Sequence, residues 1–136
     1  MKTLLLVLTM ISGCNLLIAQ ETEVKLMTFA ADKIIYDGIE LDLGMAESIA
    51  MTNAPTASVY FSKAKKMKTW NVVWSIFGGW EVGAGIINVS NGYSIGALDI
   101  AIGGGLIGMV VGRQKKIALN TKLGVDAFNE AVLKNS

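Results

Sequence analysis

Glu81 and Asp99 are the two residues best placed by sequence to do unusual chemistry, because each is the sole ionisable group in a long apolar run. The runs are residues 70–87, WNVVWSIFGGWEVGAGII, and residues 94–112, SIGALDIAIGGGLIGMVVG, joined by NVSNGY. A charged carboxylate inside a bilayer is costly unless paired, and neither run holds a lysine or arginine to pair it. Counted from a turn near Asn91, the two acids lie at similar depth toward the closed end of an antiparallel hairpin. Three readings stay open: water reaches a shallow closed end, the carboxyls hydrogen-bond within the protein, or they line a proton or cation path. Other chemistry is thinly represented. The chain has no histidine and one cysteine, Cys14, so it offers no intramolecular disulfide, no histidine acid–base pair and no ligand cluster for a metal. Gly103-Gly104-Gly105 is followed by no Lys-Ser/Thr and is not a nucleotide loop. No catalytic, cofactor-binding or metal-binding residue is expected, and the chain reads as a non-enzyme without cofactor.

The runs themselves are the elements that would position these acids. A helix of 18–19 residues spans roughly 28 Å, close to the hydrocarbon thickness of a bilayer. Hydrophobic residues make up 52% of the 136 and charged residues 17%, below the roughly 25% of a soluble domain. Gly104, Gly108 and Gly112 recur every four residues, with Gly79 and Gly83 as a facing pair, which is the spacing of small-residue helix packing. A flexible break at Gly103-Gly104-Gly105 is the competing reading. Trp70, Trp74 and Tyr93 suit the two interfaces, and Trp80 is expected to pack over glycine. Lys63, Lys65, Lys66 and Lys68 before the first run, and Arg113, Lys115 and Lys116 after the second, form a basic collar suited to phosphate headgroups. The net charge of +1 argues against a nucleic-acid partner. The Asn88-Val89-Ser90 sequon is read as chance.

Residues 21–68 form an acidic arm that runs into a lysine-rich helix. Val24 to Phe29 alternates imperfectly, whereas Lys33-Ile34-Ile35-Tyr36, Asp37-Gly38 and Ile39-Glu40-Leu41 signal a β-hairpin, because Asp-Gly suits a type I′ turn. Residues 43–52 suit a short helix with Leu43, Ala46, Ile49 and Ala50 on one face. Pro55 then opens a helix expected to run into the first apolar run. Residues 113–136 read as a basic amphipathic helix with Ile117, Leu123, Phe128, Ala131 and Val132 near one face. It would lie on headgroups, pack against residues 55–68 or dock a partner; Gly124 weakens it by roughly 1 kcal/mol.

Residues 1–20, MKTLLLVLTMISGCNLLIAQ, have the layout of a secretory signal, with cleavage after Ala19 or Gln20. Ile11-Ser12-Gly13-Cys14 resembles a lipobox and would make Cys14 a lipidated first residue; an uncleaved anchor is the third reading. The order of leader, acidic arm, lysine-rich helix, glycine-rich hairpin, basic stop and terminal Val125-Asp126-Ala127-Phe128-Asn129 resembles small uncharacterised exported membrane proteins of Bacteroidota-type bacteria. The hairpin is also similar to glycine-zipper two-helix proteins of the bacterial envelope, including outer-membrane lipoproteins. These resemblances imply an exported envelope protein and supply no catalytic residue. Export of residues 21–68 would leave the basic collar outside, against the positive-inside rule. Either the hairpin inserts after export, into the outer membrane, or residues 1–20 do not export.

The expectation is a mainly α membrane protein. It has a glycine-rich transmembrane hairpin (helices about 70–87 and 94–112), a small N-terminal β-hairpin and helix arm, and a C-terminal amphipathic helix. Its function would be anchoring and association, with itself or with another envelope protein. The alternative is a small pore, holin-like or ion-conducting component using Glu81 and Asp99.

Overall fold

The computed structural model describes residues 24–136. The leader, its cleavage after Ala19 or Gln20 and the lipidation of Cys14 concern residues outside that range. Within it the chain runs β1 (Met27–Ala30), β2 (Lys33–Tyr36), β3 (Ile39–Leu41), α1 (Leu43–Asn53), α2 (Pro55–Ser90) and α3 (Ile95–Asn135). It is mostly helical, and the two long helices lie antiparallel.

The arm holds a three-stranded antiparallel meander, one strand more than the expected hairpin. The β2–β3 turn is the expected one, with Asp37 and Gly38 at φ 54° and 74°, the left-handed pair of a type I′ turn. The β1–β2 turn has the same length and hand, but Ala31 and Asp32 supply it at φ 50° and 62°. Alanine carries no turn signal and is strained at positive φ, which is why β1 is hard to read from the sequence. The register sets Met27 beside Tyr36, Phe29 beside Ile34 and Ile34 beside Leu41, so these five side chains share one face, with Ile39 at its exposed edge.

That face is closed by α1 and by the far ends of α2 and α3. Asp42 caps α1, its Oδ1 accepting from the Met45 backbone N–H at 2.8 Å. Ala46 and Ala50 are fully buried on the expected face, with Leu43 and Ile49 packed beside them. Pro55, in the first turn of α2, separates α1 from α2. Phe61, Val125 and Phe128 complete the core, and Tyr36 meets Phe128 edge-on with ring centroids 5.7 Å apart.

Two boundaries differ from the sequence reading. α2 extends to Ser90 and ends in Gly92 at φ 82°, where Tyr93 N–H donates to Asn88 O and Gly92 N–H to Val89 O, a Schellman closure. α3 runs without a break from the apolar run through Gly112 and Arg113 to Asn135, so the C-terminal helix is not a separate element. The charge boundary at residue 112 changes what surrounds the helix but not its backbone hydrogen bonds. At 1.5 Å per residue, α2 and α3 are about 54 and 61 Å long, nearly twice a bilayer core, and each has an apolar half and a more polar half beside the sheet.

Candidate functional site

The feature that organises the helix pair is a seam of small residues repeating every seven positions. On α2 the buried residues are Ala57, Ala64, Asn71, Gly78 and Gly85, with Phe61 between the first two. On α3, Gly96, Gly103, Val110 and Gly124 are buried at multiples of seven, with Ile117 half-buried at the intervening place. A seven-residue repeat keeps one stripe of each helix facing its partner with a left-handed twist.

The contacts pair these residues layer by layer. A Cβ on Gly85 would lie 2.7 Å from Gly96 O, and one on Gly96 would lie 2.5 Å from Gly85 O. One layer on, a Cβ on Gly78 would lie 3.0 Å from Gly103 O, and one on Gly103 would lie 2.6 Å from Gly78 O. In the third layer Asn71 Nδ2 donates to Val110 O at 3.2 Å. Backbone therefore meets backbone through the apolar half, where any side chain would part the helices.

The glycines singled out by four-residue spacing are not those of the seam. A Cβ on Gly79, Gly83, Gly104, Gly108 or Gly112 would meet nothing within 4 Å, so Gly79 and Gly83 do not face α3 and the other three do not face α2. Gly79 and Gly104 each follow a seam glycine and so point about 100° away from it. A four-residue step also drifts round the helix, whereas a seven-residue step returns nearly to the same face. Trp80 is 75% exposed rather than packed over glycine.

The seam's register also places the charged residues. It sets Glu81 level with Ile100 and Asp99 level with Val82, which puts the two acids at the expected common depth, both half-buried. The Asp99 carboxylate accepts from Asn88 Nδ2 at 3.0 Å, so the sequon asparagine serves the interior of the hairpin. Glu81 has no side-chain hydrogen bond or ion pair among the described residues, and none joins it to Asp99. The same register brings Lys65, Lys66 and Lys68 level with Lys116, Lys115 and Arg113, so the collar is a belt at one height. Lys63 lies about one turn closer to the sheet. The four lysines of α2, and Lys115 and Lys116, are exposed; Arg113 is half-buried.

Lys65 differs from the rest of the belt because it bridges to Glu47 of α1 at 3.0 Å. That contact, with the Ser62 hydroxyl next in weight, holds the Glu47 carboxyl below its ordinary range. Asp42 is also lowered, first by the backbone N–H groups of Met45 and Gly44, then by the fields of Lys65 and Lys68.

Near the sheet two residues make contacts the sequence does not announce. Asn129 Oδ1 accepts from Met27 N–H and Asn129 Nδ2 donates to Met27 O, both at 2.8 Å, so one amide occupies the place of a strand beside β1. Gly124 faces Phe61, and a Cβ there would lie 2.7 Å from the ring. The expected apolar face of the terminal segment is corrected accordingly. Leu123 is 39% exposed and leaves it, while Phe128 is buried, Ala131 and Val132 pack against the core, Ile117 is half-buried, and Gly124 and Val125 join them. This segment packs against the start of α2, one of the arrangements anticipated for it.

A cleft of about 970 Å³ opens where the sheet overhangs the helix pair. Phe29, Ile34 and Leu41 wall it on one side, and Asn71, Val110 and Ile117 on the other. Asn71 is 6% exposed, and its Oδ1 has no hydrogen-bond partner. No cluster of metal-ligating side chains occurs among the described residues. No protein-family model matches this chain, and neither a curated protein nor a solved structure does.

Proposed function

We propose that this chain is a non-catalytic membrane protein of the bacterial cell envelope, anchored by the paired apolar halves of α2 and α3. The observation that carries this reading is where the apolar surface lies. Both helices are long and apolar enough to cross a membrane, yet only 11% and 17% of their most apolar windows are buried within the chain. Phe77, Trp80, Ile87, Ile95 and Leu98 are all more than half exposed. A soluble protein would be obliged to cover such a surface. On this reading Ser90–Ser94 lies at the far end of the hairpin, the lysine and arginine belt meets headgroups, and the sheet with α1 sits in water.

The open-face glycines Gly79, Gly83, Gly104, Gly108 and Gly112 are then available for association with a second copy or another envelope protein. Flotation of the full chain with lipid vesicles, resistant to carbonate, tests the anchor; recovery in the soluble fraction would refute it. Gly104→Ile, Gly108→Ile and Gly112→Ile together should abolish cross-linked oligomers while leaving flotation unchanged.

The second reading, a small pore or ion-conducting component, rests on the common depth of Glu81 and Asp99. Replacing both by leucine should abolish vesicle permeability to cations if they line a path. Unchanged permeability would remove that reading and leave the anchor standing.

A further inference from the structure

The helix pair has two flanks, one on either side of its seam, and they are not equivalent. Side chains four places after a seam residue lie on one flank: Lys68 and Ser75 of α2 with Gln114 and Thr121 of α3, all lining the cleft under the sheet. Side chains three places after a seam residue lie on the other. Asn88 and Asp99 are such a pair, and the hydrogen bond between them joins this flank of α2 to the same flank of α3. Glu81, one seven-residue repeat before Asn88, shares it. Both half-buried carboxyls therefore lie on the side of the hairpin away from the sheet.

The remainder of that flank in the apolar half is bare hydrophobic surface. On α2 the rings of Trp70, Trp74 and Phe77 form a ladder leading to Glu81, with neighbouring centroids 6.1 and 6.5 Å apart. On α3 Ile102 and Met109, each one place before a seam residue, are 48% and 37% exposed. An intramembrane carboxylate calls for a counter-charge, and neither apolar run holds a lysine or arginine. Asp99 has the Asn88 amide, whereas Glu81 has no partner among the described residues. A second copy supplies no cation either. Glu81 stands about midway between Trp70 and Asn91, so a copy docked in either orientation sets carboxyl against carboxyl.

We propose that this flank docks one transmembrane helix of another envelope protein, a helix with a lysine or arginine about midway through its apolar span. The cation pairs with Glu81 and Asp99, and the apolar remainder lies between the ring ladder of α2 and Ile102 and Met109 of α3. Gly79 and Gly104, one place after seam residues, are on the sheet's side and stay free for other contacts. This assignment rests on the anchor reading, because the acids demand a partner only in hydrocarbon.

The test uses the full chain in phosphatidylcholine vesicles with a dye-labelled synthetic transmembrane peptide of leucine and alanine bearing one central lysine. Energy transfer from the protein's tryptophans reports association. The lysine peptide should bind about five-fold more tightly than the same peptide with central leucine or glutamine, the scale of an interhelical polar contact. Glu81→Gln with Asp99→Asn, close in shape, should erase that preference. Ala84→Phe, one place before Gly85 on the acid flank, should block the peptide, and Gly79→Phe on the other flank should not. Equal binding of the three peptides, a lysine preference that survives the double amide variant, or blocking by Gly79→Phe alone would each overturn the proposal. Flotation separates the two ideas: a chain that floats without the lysine preference loses only the docking flank, and one that fails to float loses the anchor and the docking with it.

Discussion

The two halves of the helix pair share one seven-residue seam but close it by different physics. Beside the sheet, Ala57 and Ala64 let the helices approach, and the gap is filled with large side chains: Phe61, Val125 and Phe128 are at most 3% exposed. In the apolar half, Gly78 against Gly103 and Gly85 against Gly96 close the seam backbone to backbone, flanked by Val82, Ile100, Leu106 and Ile107, while Phe77, Trp80, Ile87, Ile95 and Leu98 point outward. Burying a side chain stabilises a fold when the alternative is water. On the proposed anchor reading the alternative for the apolar half is hydrocarbon, where that gain vanishes and close backbone contact is what remains. Asn71 stands at the changeover, bonded across the seam to Val110 O. A buried asparagine in such a repeat favours one register over its neighbours, because any slip leaves its amide unpaired.

The comparison can be broken most severely at Phe61. Phe61→Ala empties the site beside Gly124 and should destabilise the water-side unit by about 3–5 kcal/mol, measured by denaturant unfolding followed in the near ultraviolet. The apolar hairpin, reported by spin labels on Ile76 and Ile102, should keep its distance distribution. Gly103→Leu does the reverse. It places a side chain against Gly78 O and should widen that distribution at a cost of about 1–3 kcal/mol, whereas Gly104→Leu, one residue away on the open face, should not. An equal response from the two variants would show that the seam is misassigned.

Asn129→Ala removes both hydrogen bonds to Met27 at a partly exposed edge, with an expected loss of about 1 kcal/mol. Hydrogen exchange at the Met27 amide should report it, with little change in α3. The smallest expected effect is that of pH. The Glu47 and Asp42 carboxyls are lowered in the folded chain, so their contribution is fully present above the unfolded values near 4 and is lost as the pH falls through the folded ones. Docking of α1 should loosen below about pH 4, and Glu47→Gln should flatten that dependence. The glycine seam should be unaffected throughout.

Several elements were legible because their signals are local. Asp37-Gly38 marks its turn by the conformation those residues tolerate, and Pro55 marks the start of α2 by its fixed φ. The turn near Asn91 follows from the polar NVSNGY between two apolar runs. The first strand was obscured because Ala31 occupies a position that usually advertises itself with glycine or asparagine. Asn129 carries no such signal, since nothing near it in the chain marks the Met27 edge that it serves across 102 positions. Gly124 was read as a cost to its helix, because a glycine that admits an aromatic ring from another helix looks the same in sequence as one that merely weakens the coil.

By itself the sequence determined two apolar helical runs, the turn between them, the basic belt and the common level of Glu81 and Asp99, since each depends on composition or on distance along the chain. The tertiary structure alone decided which glycines touch. Four-residue and seven-residue spacings are both present in these runs, and either could form a packing face. The choice is made where both helices must offer bare backbone at the same height, a condition on pairs of residues that neither helix carries alone.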